Sequence, residues 1–303
     1  MVSGPDLSVV SVSLGSATRD ADQTVEIMGR RVHLRRVGTG GDLARAERLI
    51  GELDGTVDAI GLGGIDLYFA IGDRRYYVRD ALRLARAAKT TPVVCGAGLK
   101  NTLERAAIRA LRPELDWPSR KVLMVSAVDR FGMAEELAAQ GADVFYGDVV
   151  FALGLPVPVR TLPGLVRLAR TLLPVVTRVP FKWLYPTGSA QERPPSDKFA
   201  RYYDWAEVLA GDWHFIKRYA PPSLAGKTIL TNTTTLADVA FLRERGAAAL
   251  VTTTPRFDGR SVGTNLLEAA FVAMDGATGE LPAGRYQQLI DEAGLTPTRV
   301  DLG

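Results

Sequence analysis

Apolar and polar positions follow two rhythms along this chain. Short apolar runs of strand length, such as "LSVVSVSLG", "VDAIGLGGI" and "TPVVCGAG", alternate with segments whose apolar residues recur three and four apart, such as "DLARAERLIGEL", "ALRLARAA" and "NTLERAAIRAL". That alternation predicts an α/β protein with a largely parallel sheet. "QTVEIMGRRVHLRRVGT" predicts a hairpin turning at "MGRR", and "YFAIGDRRYYVRD" a second one around Gly72-Asp73. Asp42 stands where a helix N-cap is expected, as does Asn101 or Thr102 before a later helix.

The polar, proline-interrupted "RPELDWPSR" at 112–120 marks a boundary. It predicts two domains, an N-terminal α/β domain over 1–115 and a second α/β domain over 116–303. Within the second, "KVLMVSAVDRFGMAEELAAQGADVFYGD" and "KTILTNTTTLADVAFLRERGAAALVTTTP" each run from Lys through strand, loop and helix to Gly-Ala and a further strand. The Lys-to-Gly spacing is 20 in one and 19 in the other. Two such units predict a doubly wound, Rossmann-like parallel sheet. Between them lies an apolar, basic insertion at about 149–200. From Val149 to Gln191 there is no Asp or Glu, while Arg160, Arg167, Arg170, Arg178 and Lys182 are present, and six prolines forbid one continuous helix. A lid, packing against the domain or a second subunit of a homo-oligomer, and a peripheral membrane contact through 149–191 all remain open.

Composition narrows the setting. The net charge of +3 over 303 residues is too small to suggest nucleic acid as a partner. Cys95 is the single cysteine, so no internal disulfide can form, and a reducing, cytoplasmic location is expected. The first residues show no signal-peptide pattern, and no apolar run reaches the about 18 residues of a membrane span. His33 and His214 both lie in strand-like runs, and no metal site is expected from two histidines and one cysteine.

In open parallel sheets, ligands gather beyond the carboxyl ends of the strands. Residues just after predicted strands are therefore the candidates. In "GAGLKN", Lys100 stands where strand hands over to helix. Desolvation there would lower its pKa and suit it to act as a general base, with Asp66 as partner and Asn101 beside it. In the second domain Ser126, Asp129, Arg130, Asp148, Asn232 and Thr233 follow strands. Asp148 lies 22 positions after Ser126, near the spacing at which an acidic residue meets a ribose. The stretch "LVTTTPRFDGRSVGTNLLEA" is longer than the about two to six residues a plain strand-to-helix connection needs. Arg256, Arg260, Ser261, Gly263, Thr264 and Asn265 predict an anion site at a helix start, for a phosphate or carboxylate.

Through "VSVSLGS", "DAIGLGGIDLY", "RDALRLARAAKTTPVV", "GLKNTLER" and "TTTPRFDGRSVGTN" the chain resembles bacterial proteins named quinate 5-dehydrogenase. The resemblance implies an NAD- or NADP-dependent oxidoreductase of quinate- or shikimate-like hydroxy acids. A lysine–aspartate pair, here Lys100 and Asp66, would serve the hydroxyl being oxidised, and the second domain would hold the cofactor. The alternative is a non-redox α/β protein that binds a small phosphorylated or lipid-linked anion.

Overall fold

The hairpin that opens the fold is decided by two residues. Met28 (φ 52°) and Gly29 (φ 75°) both take positive φ, the turn that matches the twist of paired strands. They join β2 (Ala21–Ile27) to β3 (Arg30–Gly38). A computed structural model describes residues 7–180, 199–254, 256–257 and 260–303.

The first sheet has the order β2-β3-β1-β4-β7, with β1 (Leu7–Ser13), β4 (Ala59–Gly63) and β7 (Val93–Val94) parallel to β3, and β2 antiparallel to it. Both faces are covered, which is why β1 is buried at all but one position, its Ser11 and Ser13 included. Val10, Val12, Ile60 and Leu62 pack with α1 (Leu43–Leu53) and α2 (Arg79–Ala85). Asp42 caps α1, accepting from the Arg45 amide at 3.0 Å. The opposite face is covered by α3 (Ala97–Ala110) and by two helices from the far end of the chain. Gly96 (φ 89°) is the N-cap of α3, so Asn101 lies inside the helix rather than before it.

The second sheet begins with β8 (Lys121–Met124), α4 (Phe131–Ala139), β9 (Asp143–Tyr146), α5 (Asp148–Leu153) and α6 (Leu162–Val176). It continues through α7 (Ala200–Trp205), β10 (Val208–Ala210), α8 (Trp213–Tyr219), β11 (Thr228–Thr231), α9 (Leu236–Glu244) and β12 (Ala249–Thr252). The parallel strands stand in the order β9-β8-β10-β11-β12, and β15 (Thr298–Asp301) adds antiparallel beside β12. The order is 2-1-3-4-5, not the 3-2-1-4-5-6 of dinucleotide-binding sheets. The chain thus winds from β8 first to one side and then to the other, leaving a switch point between β8 and β10. The two sequence-similar units are β8-α4-β9 and β11-α9-β12, and Thr235 with Asp238 forms a capping box at the start of α9. His214 lies in α8, not in a strand.

The protein is a mixed α/β fold of two lobes, but the lobes are not two consecutive stretches of chain. It crosses between them in α3, again between β12 and α10 (Thr264–Asp275), and a third time between α11 (Ala283–Glu292) and β15. Helices α10 and α11 complete the first lobe's core through Leu267, Phe271, Leu289 and Ile290. A hairpin of β5 (Tyr68–Ile71) and β6 (Arg74–Tyr77) reaches the other way, seating Ile71 among Leu165, Leu173 and Trp117 of the second lobe. Helix α6, in the acid-free segment, buries Leu165, Ala169 and Leu173 there and leaves Val175 exposed. The rest of that segment, 181–191, lies outside the described residues. Among the described residues no helix is long and apolar enough to cross a membrane.

Candidate functional site

The carboxyl ends of both sheets face one crevice, and α3 runs through it. Asp66 follows β4, and Lys100 lies on the first turn of α3, its amide bonding back to Gly96 O. Asp129 and Arg130 end the loop after β8. The Lys100 Nζ donates to Asp129 Oδ1 at 2.9 Å and to Asp66 Oδ1 at 3.2 Å, joining the two lobes through one ammonium. Asp148 fixes the second arm. Its carboxylate accepts from the Ala127 and Val128 amides at 3.1 and 2.9 Å, which holds the loop that presents Asp129.

Arg130, 3% exposed, extends the network. It pairs with Glu104 on α3, bonds Asp212 at 3.1 Å after β10, and lies 3.8 Å from Asp129. Asp212 also caps α8, accepting from the His214 amide at 2.9 Å, and its own amide donates to Ser126 Oγ at 3.4 Å. Asn232 completes the row, donating from Nδ2 to Asp212 at 3.4 Å, with Thr233 beside Thr254 across the ends of β11 and β12. A small pocket opens on this network, walled by Tyr68, Phe69 and Phe131 and floored by Lys100, Asn101, Glu104, Asp129 and Arg130.

The charges settle one chemical point. Burial would lower the Lys100 pKa, but Asp129 and Asp66 outweigh it and raise the pKa above the ordinary lysine value. Lys100 is therefore a fixed cation and hydrogen-bond donor, not the desolvated base expected from its place in "GAGLKN". Burial pushes the Asp66 carboxyl up to about 7, against the pull of Lys100 and with help from Asp129. Asp129 moves the other way: burial opposes its ionisation, but Lys100 and Arg130 hold it well below the usual carboxylate range. Asp148 is pushed up to about 6 by burial, its two backbone donors notwithstanding.

The structure thus joins Asp66, Lys100, Asp129 and Arg130 in one network with Asn101 beside it at the pocket. Ser126 and Asn232 reach that network through Asp212, and Thr233 meets Thr254 instead. Asp148, expected to meet a ribose, instead anchors the Ala127–Val128 backbone. Glu104, Asp212 and Tyr68 were not singled out from the sequence. Glu104 follows Lys100 by four positions, which places both on one helix face, and Asp212 directly follows a strand in "VLAGDW".

Of the predicted anion loop, the described end is packed against the chain itself. Arg256 belongs to β13 (Arg256–Phe257), and Arg260 and Ser261 form β14 (Arg260–Ser261) in a small antiparallel pair. Their side chains, with Asp258 and Gly259, lie outside the described residues. Gly263 is the N-cap of α10, and Thr264 is its first residue. The next residue, Asn265, is laid against the first sheet: its Nδ2 donates to Ser11 Oγ at 2.6 Å. A Cβ on Gly61 would lie 2.7 Å from the Asn265 carbonyl oxygen, and one on Gly96 2.7 Å from the Asn265 amide nitrogen. The glycines of "GLGG" therefore receive a helix of the chain itself. Cys95, nearby, is buried, and burial raises its thiol pKa. Among the described residues no group of His, Cys, Asp and Glu could hold a metal ion.

Two family models match the chain: one described as "Domain of unknown function (DUF8754)" over residues 98–302, the other as "Domain of unknown function (DUF8753)" over residues 8–95. Their junction falls where β7 gives way to α3. No curated protein matches. Among solved structures, the chain is similar to a sugar ABC transport system substrate-binding protein from Bordetella parapertussis (15% identity, 97% of this chain and 89% of that one, TM-score 0.40). It is also similar to a 5-methylthioribose transporter solute-binding protein from Thermotoga lettingae (13%, 98% and 87%, TM-score 0.40). A third is an ABC transporter solute-binding protein from Agrobacterium vitis bound with α-D-tagatopyranose (10%, 98% and 95%, TM-score 0.40).

These findings overturn the expected kinship with proteins named quinate 5-dehydrogenase, and with it the expected NAD(P)-dependent oxidoreductase. The two family models that match carry no dehydrogenase description. Gly61 and Gly63, within one of the stretches of that likeness, serve to dock α10. The alternative of a phosphorylated or lipid-linked anion is corrected as well. The Asn265 end of α10, part of the loop on which that reading leaned, is taken by Ser11 and the glycine strip.

Proposed function

This chain belongs to the DUF8754 family, whose description assigns no activity, and from that premise we propose that it binds a small polyhydroxylated molecule in the crevice between its lobes. The observation that carries the reading is the Asp66–Lys100–Asp129 triad, with Asn101 beside it, opening on a pocket with aromatic walls. A sugar hydroxyl both donates and accepts, so it is best met by acceptors and donors set side by side. Asp129 accepts, Lys100 donates, and the Asn101 amide does both. Tyr68, Phe69 and Phe131 would offer apolar surface to the ring carbons, in a pocket that holds about one water as it stands and must open further to admit a sugar. Because charged groups hydrogen-bond the ligand away from bulk water, each good contact contributes roughly 1.5–3 kcal/mol.

The test is a thermal-shift and calorimetric titration of the full chain against pentoses, hexoses, acyclic polyols and their amino derivatives. Saturable binding that raises the melting temperature is expected. Asp129→Asn, which leaves Lys100 paired with Asp66, is expected to weaken that binding about tenfold or more. A melting temperature that stays flat across the whole panel at high ligand concentration overturns the reading.

A further inference from the structure

Four carboxylates and two cations meet around the pocket, and their charges do not cancel. Glu104 and Asp129 line it together with Lys100 and Arg130. Behind them Asp66 bonds Lys100, and Asp212 bonds Arg130. None of the six side chains is more than 22% exposed. Were all four carboxylates ionised, they would exceed the two cations by two negative charges, in a place where uncompensated charge is costly. Asp148, the carboxylate next to the cluster, has two backbone amides of its own.

A second observation is independent of that count. Glu104 Oε2 has no hydrogen-bond partner, although the side chain is 2% exposed and the other oxygen is held by Arg130. Buried carboxylate oxygens without a donor are rare, and such a group calls for an explanation. This one belongs to a residue that lines the pocket.

We propose that the molecule bound in this crevice carries a protonated amine seated against Glu104 and Asp129, so that its class is an amino sugar or a similar aminopolyol and not a neutral sugar. The proposal rests on the reading of the crevice as a polyol site and narrows it. An ammonium supplies donors to the unpartnered Glu104 oxygen and to Asp129, and removes one of the two excess charges. The hydroxyls of the same molecule then meet Lys100 and Asn101. Burial pushes Asp66 up to about 7 and Glu104 upward as well, which is how a cluster short of cations behaves: it takes up a proton instead.

The test uses matched pairs titrated calorimetrically into the full chain at pH 7: D-glucosamine with D-glucose, and D-galactosamine with D-galactose, with N-acetyl-D-glucosamine as the member whose charge is removed. The amino member of at least one pair is expected to bind about tenfold or more tightly than its neutral partner. The N-acetyl form should bind no better than the neutral sugar. Glu104→Gln is expected to erase the preference within a pair. Should that variant lose its fold by circular dichroism, Asp129→Asn replaces it, and the wild-type pairs decide in either case. Equal affinities within both pairs overturn the amine proposal and leave the polyol reading standing. No binding by any member, together with a flat polyol panel, overturns both.

Discussion

The two sheet ends that face the crevice share a winding and differ in what fills them. In the first lobe the parallel strands run β3-β1-β4-β7, in the second β9-β8-β10-β11-β12, so each chain of strands starts inside its sheet and reverses direction once. At the first reversal, between β1 and β4, the residues are Ser11, Gly61 and Gly63, and the hollow they leave holds Asn265 of α10. At the second, between β8 and β10, they are Ser126, Asp129, Arg130 and Asp212, which cross-link one another, with Asp129 and Arg130 facing a pocket. One topology thus offers two hollows. Side-chain size and charge decide which is closed by the protein's own backbone and which is left as a pocket lined by charged groups.

The sharpest way to break this contrast is to remove the cation at the charged end. Arg130→Met leaves Glu104 and Asp212 buried without their partner, and a loss of about 3–5 kcal/mol is expected by urea denaturation. Next comes the glycine end. Gly61→Val places carbon against the Asn265 backbone and should cost about 2–4 kcal/mol by the same measurement, as α10 is pushed off its sheet. If Gly61→Val were neutral, the docking role of the glycine strip would be wrong.

Acidity discriminates between the ends more gently. Asp66 and Glu268 are raised to about 7 from 3.8 and 4.5, and Asp148 to about 6, in each case chiefly by burial. Such carboxyls hold their protons more tightly folded than unfolded. Their contribution is fully present below about pH 4 and is lost as pH rises through 6 to 7. The melting temperature is therefore expected to fall by a few degrees, roughly, between pH 5 and pH 8. Asp66→Asn should flatten part of that slope, and an unchanged slope would remove Asp66 from the account. The smallest effect is expected from Asn265→Ala, which deletes the bond to Ser11 for about 1 kcal/mol and should leave ligand affinity untouched.

Much of the fold was legible because its signals are local. The Met28-Gly29 and Gly72-Asp73 turns and the Asp42 cap are each set by a few adjacent residues. The rule about strand ends led to Asp66, Lys100, Asp129 and Asn232. It could not say that Lys100 would be shared by Asp66 and Asp129, 34 and 29 positions away, and so stay charged. The role of "GLGG" was hidden for a related reason. A glycine-rich turn beside a strand reads the same whether a cofactor or a helix from position 265 approaches it.

By itself, then, the order of residues determined which stretches became strand, helix or turn, since backbone preference and apolar period act within a few positions. Only the folded chain decided that α10 and α11 would return to the first lobe, that Asn265 would occupy the glycine hollow, and that the crevice would be short of positive charge. Those outcomes depend on which distant groups exclude water from one another, and a pKa or a hydrogen bond exists only once that exclusion has happened.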